Sequence, residues 1–220
     1  MMIRNEEKTI LKSLNSCKDV TSVIRIFDTG STDETLSIIE TFKGDHPDID
    51  VGVKQGDFVD FAVSRNVLLE FIEESAPDVD FVLLLDSNDE LVGGGPLLEY
   101  LQEQKDANDD NVTGYLLRQK WFTGNSMDTY FNIRLIKGNR GWRYKSPVHE
   151  YITNTITPQS VTLKVENADI MIYQDRTQDC ENTFKRFKRD KIILLREHLK
   201  NPTDTRTLFY LAQTYGSLGM

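Results

Sequence analysis

Short apolar runs that alternate with helical segments are the feature that most constrains the fold of this chain. The run at residues 23–27 is rich in β-branched side chains, and apolar residues at helical spacing follow it as far as Phe42. A second helical segment is predicted at residues 58–74. Residues 81–85 form a continuous apolar run, typical of a central strand that is buried on both faces. This alternation predicts βαβ units and a largely parallel sheet.

The pattern changes after the three consecutive glycines at residues 93–95. Longer extended segments follow at residues 112–122, 130–136 and 161–173, with Gly and Asn breaks between them. These segments predict antiparallel strands added to the first ones. The expected fold class is therefore α/β, with a mixed sheet flanked by helices.

The last part of the chain has the periodicity of helices. An amphipathic helix is predicted from residue 179 onward, then a break at residues 201–204 and a further helix at residues 208–215. We therefore expect an α/β domain at residues 1–175, and a helical linker with the start of a helical repeat at residues 176–220. Because a single repeat cannot bury its apolar stripe alone, the natural chain is expected to continue, and the last helix to pack on the rest of this one.

The bulk composition limits the classes of function. The net charge of −9 disfavours a general nucleic-acid-binding protein, which needs a basic surface. No apolar run approaches the ~18–20 residues of a membrane span, and no apolar region of a secretory signal is found at the N-terminus. The two cysteines, Cys17 and Cys180, form no Cys-x-x-Cys pair and are interpreted as buried free thiols. The expected location is the cytoplasm.

Acidic residues cluster directly after two of the predicted strands, at residues 28–33 and 86–90. Open α/β sheets bind ligands beyond the carboxyl ends of their strands. Carboxylates that repel one another in such a place suit a Mg²⁺ or Mn²⁺ ion, which binds one or two carboxylates together with substrate phosphates. The alternative interpretation is a pair of solvated acidic turns without a ligand.

Six segments of the chain resemble known sequence motifs. Four of them resemble, in order, the motifs of family 2 glycosyltransferases with the GT-A fold: residues 5–10, 27–35, 61–66 and 85–91. Two more resemble the subgroup of this family that carries tetratricopeptide repeats. These are the Val-His-Glu segment at residues 147–150 and the first repeat helix at residues 206–215. The resemblance covers almost the whole chain.

The resemblance implies roles for residues at the donor pocket. Asn5 and Glu6 match the segment at the nucleotide, and Asp28 matches the acid that hydrogen-bonds the uracil or the ribose. Arg65 matches a basic residue near the diphosphate, where a guanidinium suits phosphate oxygens. Ser87 lies in the second acidic turn and is expected to contact the donor.

The resemblance also implies a Mn²⁺ or Mg²⁺ ion in the turn that begins at Asp86, with His149 completing the metal or diphosphate contacts. Many relatives carry Asp in the third position of this turn, where the present chain has Asn88. An amide oxygen is a weaker ligand than a carboxylate. Either Asp89 takes the metal or the affinity for metal is reduced, and Asp89 rather than Asn88 is the expected chief metal contact.

The expected function is transfer of a sugar from a nucleoside diphosphate sugar, with UDP as the expected nucleotide, to a sugar, protein or lipid acceptor. The resemblance implies inversion at the anomeric carbon, with a carboxylate as general base for the acceptor. Glu150 is the first candidate for this base and Asp128 the second. The rival hypothesis is a non-catalytic module that binds a nucleotide sugar or a protein with a degenerate metal motif. The C-terminal helices are the expected surface for a second copy or a protein partner.

Overall fold

The computed structural model describes residues 1–177 and 183–219. Strands and helices alternate in its first half, and strands dominate the region that follows. The elements are β1 (Met2–Ile3), α1 (Ile10–Cys17), β2 (Val23–Asp28), α2 (Thr35–Asp45), β3 (Asp50–Gln55), α3 (Phe61–Ser75), β4 (Phe81–Leu83), β5 (Asp89–Val92), α4 (Gly94–Ala107), β6 (Val112–Phe122), β7 (Met127–Lys137), β8 (Trp142–Lys145), β9 (Tyr151–Asn154), β10 (Val161–Lys164), β11 (Met171–Asp175), α5 (Thr183–Lys200) and α6 (Thr205–Ser217).

The first three strands form a parallel sheet in the order β1-β2-β3. The central strand β2 is buried along most of its length because it has a neighbour on each side and helices over its faces. Its last residue, Asp28, lies opposite Ile3 of β1 and Gln55 of β3. The parallel arrangement brings the carboxyl ends of all three strands to one edge.

The larger sheet has the order β4-β7-β6-β11-β5, with β10 paired to β6. It is mixed, since β11 runs parallel to β6 and antiparallel to β5. The antiparallel pair β6–β7 is irregular at one point: Tyr115 lies opposite Leu135, but the next residue, Leu116, lies opposite Ile133. Arg134 is therefore the extra residue of a β-bulge in β7.

The strand expected at residues 81–85 differs from the prediction. Only Phe81–Leu83 is a strand, and it is half-buried and antiparallel to β7. Its other edge faces a cavity of about 640 Å³ that β2 and α3 also line. Because this cavity lies along that edge, the run does not become a central strand with neighbours on both sides. The extended stretch expected at residues 161–173 is likewise interrupted and forms the two strands β10 and β11.

The main core lies between the sheets and the helices α1, α2 and α4. Its fully buried side chains include Ile10, Leu14, Ile26, Ile39 and Leu117. Helix α1 packs against β5, which holds the second acidic turn close to the first. This packing places both acidic strand ends on the same side of the molecule.

The C-terminal helices pack against each other and against the rest of the chain. Leu211 of α6 is buried with Leu194 of α5 and with Val148, so the predicted packing of the last helix is confirmed. The break before α6 is also confirmed, because the Asp204 carboxylate accepts hydrogen bonds from the first backbone N–H groups of the helix. In the described part of the chain no helix is long and apolar enough to span a membrane.

The prediction of buried free thiols is confirmed for Cys17, which is buried and unpaired. Burial raises the pKa of its thiol to about 11. Cys180 and the expected helix start at residue 179 lie outside the described residues.

Candidate functional site

The first acidic turn is closed by hydrogen bonds within itself. Asp28 is completely buried, and its Oδ1 accepts hydrogen bonds from the Ser31 hydroxyl at 2.6 Å and the Ser31 backbone N–H at 3.1 Å. Gln55 donates to the other carboxylate oxygen at 3.4 Å. Asp28, the expected partner of the nucleoside, thus fixes the shape of the turn in this structure.

The loop after β1 interlocks with this turn. The Asn5 side-chain oxygen accepts a hydrogen bond from the Thr32 N–H at 2.7 Å, and the Asn5 N–H donates to the Ser31 hydroxyl at 3.0 Å. Asn5 has φ = 57°, in the left-handed region that asparagine tolerates better than most residues. The Glu6 N–H donates to Thr35 Oγ1 at 2.7 Å, so both residues predicted at the nucleotide are held firmly in the same loop.

Glu6 joins the first acidic turn to the second. Its carboxylate accepts a hydrogen bond from Thr9 at 2.9 Å and lies near Ser87, which is buried in the second turn. Burial raises the pKa of the Glu6 carboxyl, although the hydroxyl groups of Thr9 and Ser87 oppose the shift. The structure therefore places Glu6 near Ser87, although the two residues lie far apart in sequence.

Asp86 at the start of the second turn is held by two arginines. Arg65 of α3 donates to Oδ1 at 2.6 Å, and Arg134 of β7 donates to Oδ2 from both terminal nitrogens at 3.2 Å. Burial alone would raise the pKa of the Asp86 carboxyl, but the charges of Arg65 and Arg134 outweigh it and hold the pKa well below the usual range. Asp86 is accordingly an anion.

Glu150 belongs to the same cluster. The Arg65 Nε donates to Glu150 at 2.9 Å, so a single guanidinium bridges Glu150 and Asp86. The same guanidinium lies 5.3 Å from the centre of the Tyr144 ring. Asp128, the second candidate for the general base, is exposed on β7 opposite Trp121. Glu150 is thus the candidate that lies within the cluster.

Asp89 has a different environment from Asp86. It is completely buried and accepts hydrogen bonds from the Asp86 N–H at 2.9 Å and from Gln174 at 3.1 Å, with an Arg134 nitrogen at 3.5 Å. Burial and the negative charge of Asp86 raise the pKa of Asp89 to about 6. Asn88 accepts a hydrogen bond from the same Gln174 amide at 2.7 Å.

His149 makes its contacts on the side of the C-terminal helices. Its ring is stacked on Tyr210 with the ring centres 4.0 Å apart, and its carbonyl accepts a hydrogen bond from Arg206 at 2.7 Å. Burial lowers the pKa of the imidazole. The structure does not bring His149 together with the Asp86 turn as it does Glu150.

The donor set for a divalent ion is small. Among the residues that the structure describes, no group of three His, Cys, Asp or Glu side chains is placed to hold a metal ion. Mg²⁺ and Mn²⁺ are usually held by one or two carboxylates and completed by phosphate oxygens. The oxygens of Asp86, Asn88 and Asp89 all have hydrogen-bond partners in this structure. Asp86 is partly exposed and Asp89 is fully buried, so Asp86 is the carboxylate that is more open to an ion.

Sequence reasoning missed Arg134 and Gln174. Arg134 is a charged residue inside the apolar segment of residues 133–136, and this interruption was a signal that could have identified it. Gln174 lies just beyond the extended stretch that was predicted to end at residue 173. Its contacts with Asn88 and Asp89 depend on the pairing of β11 with β5, for which the sequence contains no local signal.

Comparison with known proteins identifies two similar glycosyltransferases. The chain is 26% identical over 217 residues to the SPbeta prophage-derived glycosyltransferase SunS of Bacillus subtilis (strain 168), and equally to the glycosyltransferase SunS of Bacillus phage SPbeta. Each alignment covers 97% of this chain and 47% of the relative. The chain thus spans about half the length of these curated relatives.

A solved structure and a family profile complete the comparison. The mannosyltransferase PcManGT from Pyrobaculum calidifontis, solved with GDP-Man and Mn²⁺, superposes with a TM-score of 0.55 at 10% identity. The superposition covers 99% of this chain and 68% of the other, and it confirms the predicted GT-A fold with a mixed sheet and C-terminal helices. The profile "Glycosyl transferase family 2" matches residues 1–210, and the chain belongs to this family.

Proposed function

We propose that this chain transfers a sugar from a nucleoside diphosphate sugar to an acceptor. The observation that carries the proposal is the convergence of Asp86, Arg65 and Glu150 at the end of a strand, next to the loop that holds Glu6. An anion, a cation and a second carboxylate within one cluster provide groups for a metal, a diphosphate and a proton. The glycosyltransferase names of the relatives support the same reaction class.

The nucleoside end of the donor would lie against the interlocked loops. Asn5, Glu6, Asp28 and Ser87 are the residues that we assign to it. Because Asp28 is fully buried, its contribution is to fix the turn unless the nucleotide opens the Ser31 contact. A uridine nucleotide is the donor that we expect, and guanosine is the first competitor to test, since PcManGT was solved with GDP-Man.

The diphosphate end would lie at Asp86. Asp86 and Asn88 would hold a Mn²⁺ or Mg²⁺ ion, which neutralises negative charge on the leaving diphosphate. Arg65, on α3, would add a positive charge that stabilises the same diphosphate. Asp89 orients the turn through the Asp86 N–H, and His149 has its proposed role only if the segment at residues 147–150 moves toward the donor.

The reaction needs a base for the acceptor. In our proposal the acceptor nucleophile attacks the anomeric carbon, its proton passes to Glu150, and the bond from the sugar to the diphosphate breaks. A single displacement of this kind inverts the anomeric configuration. Glu150 is favoured over Asp128 because it lies beside Asp86 across Arg65, whereas Asp128 is exposed on β7.

A panel of nucleotides tests the donor pocket. Thermal shift with UDP, GDP and their sugar conjugates, each with Mn²⁺, should raise the melting temperature for the matching nucleotide, because a ligand that binds only the folded chain stabilises it. Hydrolysis of the matching donor sugar should follow and should be lost with EDTA. A folded chain that binds no nucleotide in this panel contradicts the proposal.

The second candidate function is a non-catalytic binding module. Asn88 in the third position of the turn favours it, because this position lacks a carboxylate. This hypothesis predicts a nucleotide-dependent rise in melting temperature without any donor hydrolysis. The two measurements together therefore separate the candidates.

The C-terminal helices have a proposed role of their own. We divide the chain into the catalytic unit at residues 1–175 and a helical unit at residues 176–220 of the tetratricopeptide-repeat type, which would recruit the acceptor or a second copy. Deletion of residues 203–220 should lower the melting temperature of the rest of the chain, because Leu211 is buried with Val148. An unchanged melting temperature would contradict this packing role.

A further inference from the structure

Arg134 is a buried cation for which the reaction described above has no use. It is the bulged residue of β7, and its side chain is only 11% exposed. A bulge re-aims the side chain that it carries, here toward the end of the neighbouring strand. Without the bulge, the residues from Ile133 to Leu135 would each lie opposite one residue of β6 and their side chains would alternate regularly between the two faces of the sheet.

The partners of Arg134 are incomplete. Its terminal nitrogens donate to Asp86 Oδ2 at 3.2 Å each and to the Leu84 carbonyl at 3.3 Å, and one of them lies 3.5 Å from the buried Asp89 carboxylate. Its Nε is buried and has no hydrogen-bond partner in the structure. A buried donor without an acceptor costs about 1–3 kcal/mol, so the Nε of Arg134 is a hydrogen-bonding group that the protein's own side chains leave unused.

The two arginines bind the Asp86 carboxylate with hydrogen bonds of the kind that arginines make to phosphate. Arg65 approaches one carboxylate oxygen from α3, and Arg134 approaches the other from β7. Guanidinium groups bind carboxylate and phosphate oxygens with the same planar geometry, and a diphosphate carries more charge and more acceptor oxygens than one carboxylate. An entering diphosphate can therefore compete with Asp86 for both cations.

We propose that Arg134 and Arg65 form a diphosphate-binding pair, and that Asp86 occupies this pair when no diphosphate is bound. The proposal rests on the proposed function, to which it adds a second phosphate-binding residue and an exchange of partners. Diphosphate takes the two guanidinium groups, and the Asp86 carboxylate is released toward the metal position. The free Nε of Arg134 gains an acceptor in the same exchange.

Binding of inorganic pyrophosphate in EDTA tests the pair without any metal. Isothermal titration calorimetry should show that Arg134→Gln weakens pyrophosphate binding about tenfold or more, which is ~1.4 kcal/mol. Asp86→Asn should tighten the binding several-fold, because the competing anion has been removed. Arg140→Gln is the matched control, since Arg140 follows β7 and pairs with Asp110 on the surface, and this variant should bind like the unaltered protein.

Folding is checked by circular dichroism and melting temperature for every variant. If Arg134→Gln fails to fold, Arg134→Lys keeps the charge without the fork and should lose several-fold in affinity. The proposal is overturned if a folded Arg134 variant binds pyrophosphate like the unaltered protein, or if Asp86→Asn binds it no more tightly. Failure of the proposed function has a different signature, namely a nucleotide panel with Mn²⁺ in which the unaltered protein binds nothing.

Discussion

The two acidic turns look alike in sequence but are stabilised in opposite ways. Asp28 is held by the hydroxyl and the N–H of Ser31, three residues away in the same turn. Asp86 is held by arginines that lie 21 and 48 residues away in the chain. Neutral local donors fix the shape of the first turn, whereas distant cations balance the charge of the second.

This difference teaches which turn is built for chemistry. The Asp28 carboxylate is held by uncharged donors of its own turn and of Gln55, so no cation is paired with it in that turn. A carboxylate between two buried cations makes strong ion pairs, and a substrate anion or a metal ion can take the place of one of the partners. We therefore expect activity to depend on the second turn and local stability on the first.

The largest expected effect is on turnover. Asp86→Asn should lower sugar transfer on the order of 100-fold or more, because it removes the charge around which the metal position and both arginines are arranged. Asp28→Asn should lower it by tenfold or less. Measurement of kcat and KM for both variants tests the contrast, and equal losses would abolish the distinction between the turns.

The next effect is on stability as a function of pH. The pKa of Asp89 is raised to about 6, against an unfolded value near 4, so between these values the folded chain keeps a proton that the unfolded chain has lost. Stability should therefore fall by about 2 kcal/mol as the pH rises through this window. Asp86 has the opposite sign: its lowered pKa gives stability that is present above pH ~4 and is lost as the pH falls further.

Asp89→Asn isolates the first of these contributions. Urea denaturation in EDTA at pH 4.5 and at pH 7 should show that the variant gains on the unaltered protein by about 2 kcal/mol at the higher pH. A pH-independent difference between Asp89→Asn and the unaltered protein would contradict the raised pKa.

The smallest expected effect is on the hydrogen bonds of the first turn. Ser31→Ala removes the donor to Asp28 and the acceptor for the Asn5 N–H, and should cost about 1–2 kcal/mol of unfolding free energy. Ser37→Ala is the matched control, because the Ser37 hydroxyl bonds only within the exposed first turn of α2. A loss of similar size in both variants would show that the Asp28 turn has no special rigidity.

The same contrast explains what could be predicted from the sequence. The Asp28 turn follows from residues 28–31 alone, and the strands β2, β6 and β7 follow from local apolar patterns. The mixed sheet was predicted from the change in local sequence pattern after residues 93–95. The signals for all these predictions lie in residues close together in the chain.

The rest depends on pairing between distant segments. Residues 81–85 have the composition of a central strand, but β4 is an edge strand, because it pairs with β7 on one side and faces a cavity on the other. Arg134 points at Asp86 only because of the bulge, and bulges have no reliable local pattern. The roles assigned to the site residues all stay predictions: Asn5, Glu6, Asp28, Arg65, Asp86, Ser87, Asn88, Asp89, Asp128, His149 and Glu150.

Three consecutive residues connect the last helix to the charged cluster. Val148 is buried with Leu211, the His149 ring lies on Tyr210, and Glu150 pairs with Arg65. A helix that is anchored through a small buried cluster, here Val148, Leu194 and Leu211, opens locally at a lower free energy than the whole fold, and hydrogen exchange detects such opening. When α6 opens, His149 loses its contact with Tyr210. Warming should therefore abolish activity by a partial unfolding that leaves the sheets intact. The temperature at which activity is halved then lies below the temperature at which β6 and β7 lose their protection from exchange.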